Sequence, residues 1–190
     1  LVRYGEMGKE KPGLIDKTGQ LRDLSAHIQD LAGEAFSPAS LAKIRDLEPS
    51  RLPAVSGNPR LGSPVGGAPK FIAIGLNYSD HAAEVGMALP SEPIVFMKAN
   101  NSLCGPNDAV EKPRGSTKLD WEVELAIIIG SRAKYVAEAD ALNYVAGYSI
   151  CNEGTVRDWT KHGVSSVYNQ RREKQAAAAL ARAERGLQNR

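Results

Sequence analysis

The stretch Leu119-Asp120-Trp121-Glu122-Val123-Glu124-Leu125-Ala126-Ile127-Ile128-Ile129-Gly130 alternates apolar and acidic positions before becoming continuously apolar. This pattern predicts a β-strand, in which residues two apart share a face. Glu122 and Glu124 are then expected to point one way, with Trp121, Val123 and Leu125 packing behind them and the isoleucines buried in a sheet. Two like charges held side by side at a core edge repel, and a hard divalent cation with its preference for carboxylate oxygen is one compensation.

Elsewhere the pattern predicts shorter elements. Leu1 to Tyr4, Leu14-Ile15 and Leu21 onward are apolar pieces separated by turn residues at 16–19, which predicts a small β-rich unit with a hairpin over residues 1–52. Ser37 followed by Pro38 marks a helix start, with Leu41, Ile44 and Leu47 as its apolar stripe. Residues 53–69 are crowded with Pro and Gly and read as a linker. A second unit opens with a strand at 70–76 and a short helix capped by Ser79 or Asp80 and ended by Gly86. Further strands are predicted at 94–98 and 144–151, with a helix at 137–142 between them and the second strand closing on Asn152-Glu153.

Composition narrows the class. With 190 residues and 42% hydrophobic content, the chain can build one ordinary domain or two small ones. No apolar run reaches the length of a membrane span, and the first residues lack a signal peptide's apolar centre. Two cysteines cannot form a disulfide framework, so a cytoplasmic setting is expected. The net charge of +2 divides into +4 for residues 171–190 and −2 for residues 1–170, so the body offers no basic surface for nucleic acid. The tail at 161–190 is Ala- and Arg-rich and reads as a solvated helix or disorder, with no large apolar residues besides Leu180 and Leu187 from Gln170 onward.

The candidate chemistry lies at the ends of these strands. His81 and Glu84 are three apart on the short helix, where a carboxylate can orient a histidine and raise its basicity. Glu122, Glu124 and Glu153 offer oxygen ligands to a metal ion, which would act as a Lewis acid. Plainer readings stand beside these: an exposed strand face for the glutamates, a surface helical pair for His81 and Glu84, and a surface Arg-Asp pair for Arg157.

The segments Gly75-Leu76-Asn77-Tyr78-Ser79-Asp80-His81-Ala82-Ala83-Glu84, Phe96-Met97-Lys98, Asp120-Trp121-Glu122-Val123-Glu124-Leu125, Val145-Ala146-Gly147-Tyr148 and Arg157-Asp158-Trp159 together resemble the fumarylacetoacetate hydrolase family. The N-terminal spacing from Arg3-Tyr4-Gly5 to Ser25 looks like the bacterial sugar-acid and ureidoglycolate branch. The resemblance implies an α+β, mainly β fold, a mixed β-roll or sandwich over residues 70–160, behind the small N-terminal unit. It implies bound Mg²⁺ or Mn²⁺, with Ca²⁺ as an alternative, and a homodimer that hydrolyses or decarboxylates a small diketo or oxo acid beside its carbonyl. By the same resemblance His81 and Glu84 match a water-activating dyad, and Glu122, Glu124 and Glu153 match the metal ligands. Arg157 matches an oxyanion-stabilising arginine and Lys98 a substrate-binding lysine.

Departures from the family pattern begin at the third ligand. The family places Asp after Asn where this chain has Asn152-Glu153, and Gly154, Thr155 and Thr160 also differ. Beyond Thr160 no family motif is matched: a Gly-Lys motif and a Thr-Gly-Thr-Pro-like turn are missing. The change to Ala- and Arg-rich composition is what a frame change in a GC-rich gene would produce. The competing expectation is therefore a catalytically inactive remnant with at most a binding or dimerisation role.

Overall fold

The computed structural model describes residues 1–159 and the two-residue strand Gln175–Ala176. It opens with an antiparallel sheet of β1 (Val2–Tyr4), β2 (Lys11–Ile15) and β3 (Leu21–Asp23), in the order β1-β2-β3. The turn between β2 and β3 is made by Asp16, whose Oδ1 accepts from the backbone N–H of Thr18 at 2.8 Å and of Gln20 at 3.1 Å. Helix α1 (Pro38–Arg45) starts as its sequence requires, since the Ser37 hydroxyl accepts from the Ser40 N–H at 3.2 Å. Its stripe places Leu41 and Ile44 in a core with Leu24 and Leu52, against which Leu14, Ile28, Leu47 and Ala146 pack.

The Pro- and Gly-rich segment lies against the first sheet rather than running clear of it. Isolated bridges pair Tyr4 with Leu61, Arg22 with Ala54 and Ala32 with Gly66. Charge fastens the same region. Arg3 Nε lies 2.7 Å from Asp30, Arg60 Nη1 lies 2.8 Å from Glu10, and Arg60 makes a two-pronged contact to Asp108 at 2.7 and 2.6 Å.

The second half is assembled from two-stranded pieces. β4 (Phe71–Gly75) pairs antiparallel with β5 (Ile94–Lys98), and between them lies α2 (Ser79–Glu84). The helix cap is Tyr78, not Ser79 or Asp80, because Ser79 already has helical geometry. Its end follows the sequence: Gly86 takes φ +68°, Met87 N–H donates to Ala82 and Gly86 N–H to Ala83, the double bond of a left-handed helix stop. β6 (Leu103–Cys104) follows, and Gln175–Ala176 runs parallel to it. The remainder of the 161–190 tail lies outside the described residues.

The acidic stretch forms two strands where one was expected. β7 (Leu119–Asp120) pairs with β10 (Thr155–Val156), and β8 (Val123–Ile129) pairs with β9 (Val145–Asn152). The ladder is interrupted at Trp121 and Glu122 because side chains take their backbone donors. Asp120 Oδ1 accepts from the Trp121 N–H at 3.0 Å, and Asn152 Oδ1 accepts from the Glu122 N–H at 3.1 Å. Trp121 and Val123, expected behind the glutamates in a core, are 73% and 58% exposed; Leu125 alone is buried. The segment expected as a helix at 137–142 is a 3₁₀ turn spanning Glu138–Tyr144.

At its far end the β8–β9 hairpin meets the first unit. Ala146 sits at a register shift opposite Ile128 and Ile129 and packs on the N-terminal core. Gly130 comes so close to Phe36 that a Cβ there would lie 2.2 Å from the Phe36 carbonyl oxygen. The described residues thus form a mixed α/β arrangement dominated by sheet, with one three-stranded and four two-stranded sheets. Among them no helix is long and apolar enough to cross a membrane.

Candidate metal centre

The pairing register decides which acidic residues meet. Asp120 pairs with Thr155 and Val123 with Asn152, so both halves of the interrupted ladder keep one register and Glu122 stands opposite Glu153. The Glu153 N–H donates to the Glu122 carbonyl at 2.8 Å across this gap. Glu124 stands opposite Cys151 one step further along. Residues directly opposite share a face in an antiparallel ladder, as do residues two apart, so Glu122, Glu124, Cys151 and Glu153 occupy one face of the hairpin end.

Each of two carboxylates is matched by a cation. Lys98, the one inward-facing residue of β5, places Nζ 2.8 Å from Glu153 Oε1, and both side chains are buried. Arg157, just beyond β10, donates from Nη2 to Glu122 Oε1 at 2.6 Å and from Nε to Asp120 Oδ2 at 3.0 Å. Burial pushes the Glu122 carboxyl above its ordinary value, Arg157 and Lys98 pull it down, and Glu153 pushes it up. Asp158 fixes the loop leading into β7, accepting from the Thr117 N–H at 3.0 Å and the Ser116 hydroxyl at 2.9 Å, which hold its carboxyl below the ordinary aspartate value.

The other predicted residues are placed differently. His81 Nδ1 lies 3.7 Å from Glu84 Oε2 on α2, longer than a hydrogen bond, and both side chains are exposed. A cavity of about 1170 Å³ lies between β4 and β8. Glu124 and Glu153 reach its wall together with Lys70, Asn77 and the apolar side chains of Phe71 and Ile128, whereas His81, Glu84, Lys98, Glu122 and Arg157 do not line it. The structure therefore brings Lys98, Glu122, Glu153 and Arg157 together, connects Glu124 to them along the strand and through the cavity, and leaves the histidine dyad on a separate exposed helix.

Two participants were not singled out from sequence. Asp120 shares Arg157, and Asn152 breaks the ladder so that Glu122 leaves the strand. The register would have exposed both, since an antiparallel pairing of 123 with 152 places 120 beside 155 and sets 122 against 153.

A hard divalent cation suits this donor set in type and in charge. Asp120, Glu122, Glu124 and Glu153 set four carboxylates against the two cations Lys98 and Arg157, leaving −2 for such an ion to compensate. In the arrangement observed, Glu153 and Glu122 face Lys98 and Arg157 instead of a common point. Among the described residues no group of three His, Cys, Asp or Glu is gathered tightly enough to hold a metal ion.

Comparison with known proteins adds the family context. The family profile described as fumarylacetoacetate (FAA) hydrolase C-terminal matches residues 70–181, running beyond Thr160, where the motif-by-motif likeness stops. A Burkholderia cenocepacia protein (strain J2315), named at the level of hydrolase, is 57% identical over 159 residues, which is 84% of this chain and 56% of its own length. A Burkholderia ambifaria protein (strain MC40-6) gives the same identity and coverage. The chain thus spans little more than half the length of these curated relatives. Among solved structures, fumarylacetoacetate hydrolase from the psychrophile Exiguobacterium antarcticum superposes with a TM-score of 0.71 at 27% identity, covering 94% of this chain and 64% of that one. A 5-carboxymethyl-2-hydroxymuconate delta-isomerase from Mycobacterium smegmatis gives 0.61 at 25% identity, covering 90% and 60%.

Proposed function

Because the chain belongs to the fumarylacetoacetate hydrolase family, we propose that it carries the metal-ligand face of a hydrolase or decarboxylase acting beside the carbonyl of a small diketo or oxo acid. The observation that carries this reading is the common face of Glu122, Glu124 and Glu153 at one end of the β8–β9 ladder, with its surplus of negative charge. Those three carboxylates would hold Mg²⁺ or Mn²⁺. Bound there, the ion would supply Lewis-acid polarisation of a substrate oxygen.

The chain's own residues divide the remaining work. By the family resemblance His81, with Glu84 beside it on α2, would accept a proton from water. The hydroxyl formed adds to the carbonyl carbon, the adjacent C–C bond breaks, and the departing carbon keeps the electron pair until it takes up a proton. In decarboxylation the same carbon keeps the pair as CO₂ leaves. Arg157, anchored by Asp120 and Glu122, presents positive charge where a substrate oxygen gains negative charge. Two such chains would associate as a homodimer.

A second reading is isomerisation of a hydroxy-diene acid, favoured by the likeness to the M. smegmatis isomerase. It needs the same polarised oxygen and proton-accepting base but breaks no C–C bond.

Thermal unfolding with MgCl₂ or MnCl₂ tests the ligand face, since an ion that binds only the folded state raises the melting temperature. Glu124→Ala is expected to abolish the rise. Turnover of oxaloacetate, acylpyruvates and 5-carboxymethyl-2-hydroxymuconate separates the three chemistries. No metal-induced shift and no turnover would favour an inactive remnant.

A further inference from the structure

We propose that Lys98 is a resident counter-cation, holding Glu153 in the metal-free protein and competing with a divalent cation for that carboxylate. The inference rests on the ligand face described above, and it departs from the substrate-binding role that resemblance alone suggests for Lys98.

Lys98 is the only inward residue of β5. Ile94 to Met97 are all exposed, whereas Lys98 is 7% exposed. A buried ammonium is costly without a partner, and its partner here is Glu153, 6% exposed, at 2.8 Å. The Phe96 ring, 5.8 Å from Nζ, gives secondary support through its π face. Arg157 plays the corresponding part for Glu122, but from a side chain nearly half exposed, where solvent weakens the pair. The stronger hold is therefore on Glu153.

Two consequences follow from charge alone. When no metal is bound, Lys98 prevents Glu153 from standing buried and unpaired opposite Glu122. When a divalent cation takes Glu153, it must displace the ammonium and then bear repulsion from it. Lys98 thus protects the empty site and weakens the loaded one. Neutralising Lys98 is expected to destabilise the metal-free protein and to tighten its grip on metal. A lysine with a merely structural role would not produce that opposed pair of effects.

The test is calorimetric titration of MgCl₂ and MnCl₂ into the wild type, Lys98→Met and Lys98→Arg, with melting temperatures in EDTA. Lys98→Met should melt lower in EDTA yet bind metal tighter by about fivefold or more, while Lys98→Arg, which keeps the charge, should bind as the wild type does. Unchanged or weaker metal binding by Lys98→Met overturns the proposal while leaving the ligand face intact. Failure of the wild type to bind either metal overturns both, so the two failures are distinguishable. If Lys98→Met does not fold, ¹⁵N-lysine-labelled wild type gives the same decision. The Lys98 ammonium resonance, assigned by its loss in Lys98→Arg, must move when MgCl₂ is added, and a resonance unmoved at saturating metal refutes the competition.

Discussion

Glu122 and Glu153 face each other across an interrupted antiparallel ladder, joined by the Glu153 N–H to Glu122 carbonyl bond of 2.8 Å, and each carboxylate is held by a different cation. Like charges directly opposite in a sheet are destabilising, so the pair persists because Lys98 and Arg157 offset it. The two glutamates are nevertheless unequal. Replacing Glu153 leaves Lys98 buried without its carboxylate, whereas replacing Glu122 leaves Arg157 its contact to Asp120. In EDTA, Glu153→Gln is expected to cost about 3 kcal/mol and Glu122→Gln less than about 1 kcal/mol. Urea unfolding of both variants checks this, and equal losses would refute the assigned pairing.

The hairpin turn of the first sheet sets a pH dependence. Hydrogen bonds from Thr18 and then Arg22 hold the Asp16 carboxyl far below the ordinary aspartate value of 3.8. A depressed folded-state value means that the unfolded chain binds more protons as pH falls, so this stabilisation is complete above the unfolded value and is lost as pH drops through the folded one. Asp16→Asn should therefore melt below the wild type at neutral pH, with the gap narrowing as the solution is acidified below 3.8. A gap independent of pH would assign the loss to turn geometry alone.

Arg60 ties the first sheet to the loop before β7 through Glu10 and through both oxygens of Asp108. Its contact with Asp108 raises the guanidinium above its ordinary value, with Glu10 adding to the effect. The side chain is a quarter exposed, so solvent reduces what the network is worth. Arg60→Ala is expected to lose about 2 kcal/mol, and Arg60→Lys most of that, because an ammonium cannot make the two-pronged contact. Chemical denaturation of the two variants decides the point.

Much of the fold could be read from local pattern, and the departures have identifiable causes. The β5 limits, the Ser37-Pro38 helix start and the Gly86 helix stop were legible because each depends on residues within one turn or strand. The break at Trp121 and Glu122 was not, because the acceptor that draws away the Glu122 N–H belongs to Asn152, thirty residues distant. Lys98 was found by resemblance, but its partner was not, since nothing near Lys98 in sequence announces Glu153. His81 and Glu84 were legible as a helical pair, and their 3.7 Å separation is what that spacing provides. The apolar run from Val123 to Ile129 suggested a buried strand. Its outward members are half exposed because, among the described residues, β8 pairs only with β9 and that hairpin is covered on one face.

That uncovered surface yields the last prediction. Val95 and Met97 on β5 are 61% and 54% exposed, and Ile150 on β9 is 72% exposed, with Ile127, Ile129 and Tyr148 also outward. Among the described residues β5 pairs with β4, and Val95 and Met97 share one face of that strand. Exposed apolar side chains in such number promote association. The chain is accordingly expected to self-associate with rising concentration, and Val95→Lys should weaken this by placing a charge on the exposed face of β5 while leaving the β4–β5 backbone bonds intact. Light scattering coupled to size-exclusion chromatography checks both statements. A monomer at all accessible concentrations would mean that these strands do not govern assembly, and association unchanged in Val95→Lys would place the contact on the β8–β9 face instead.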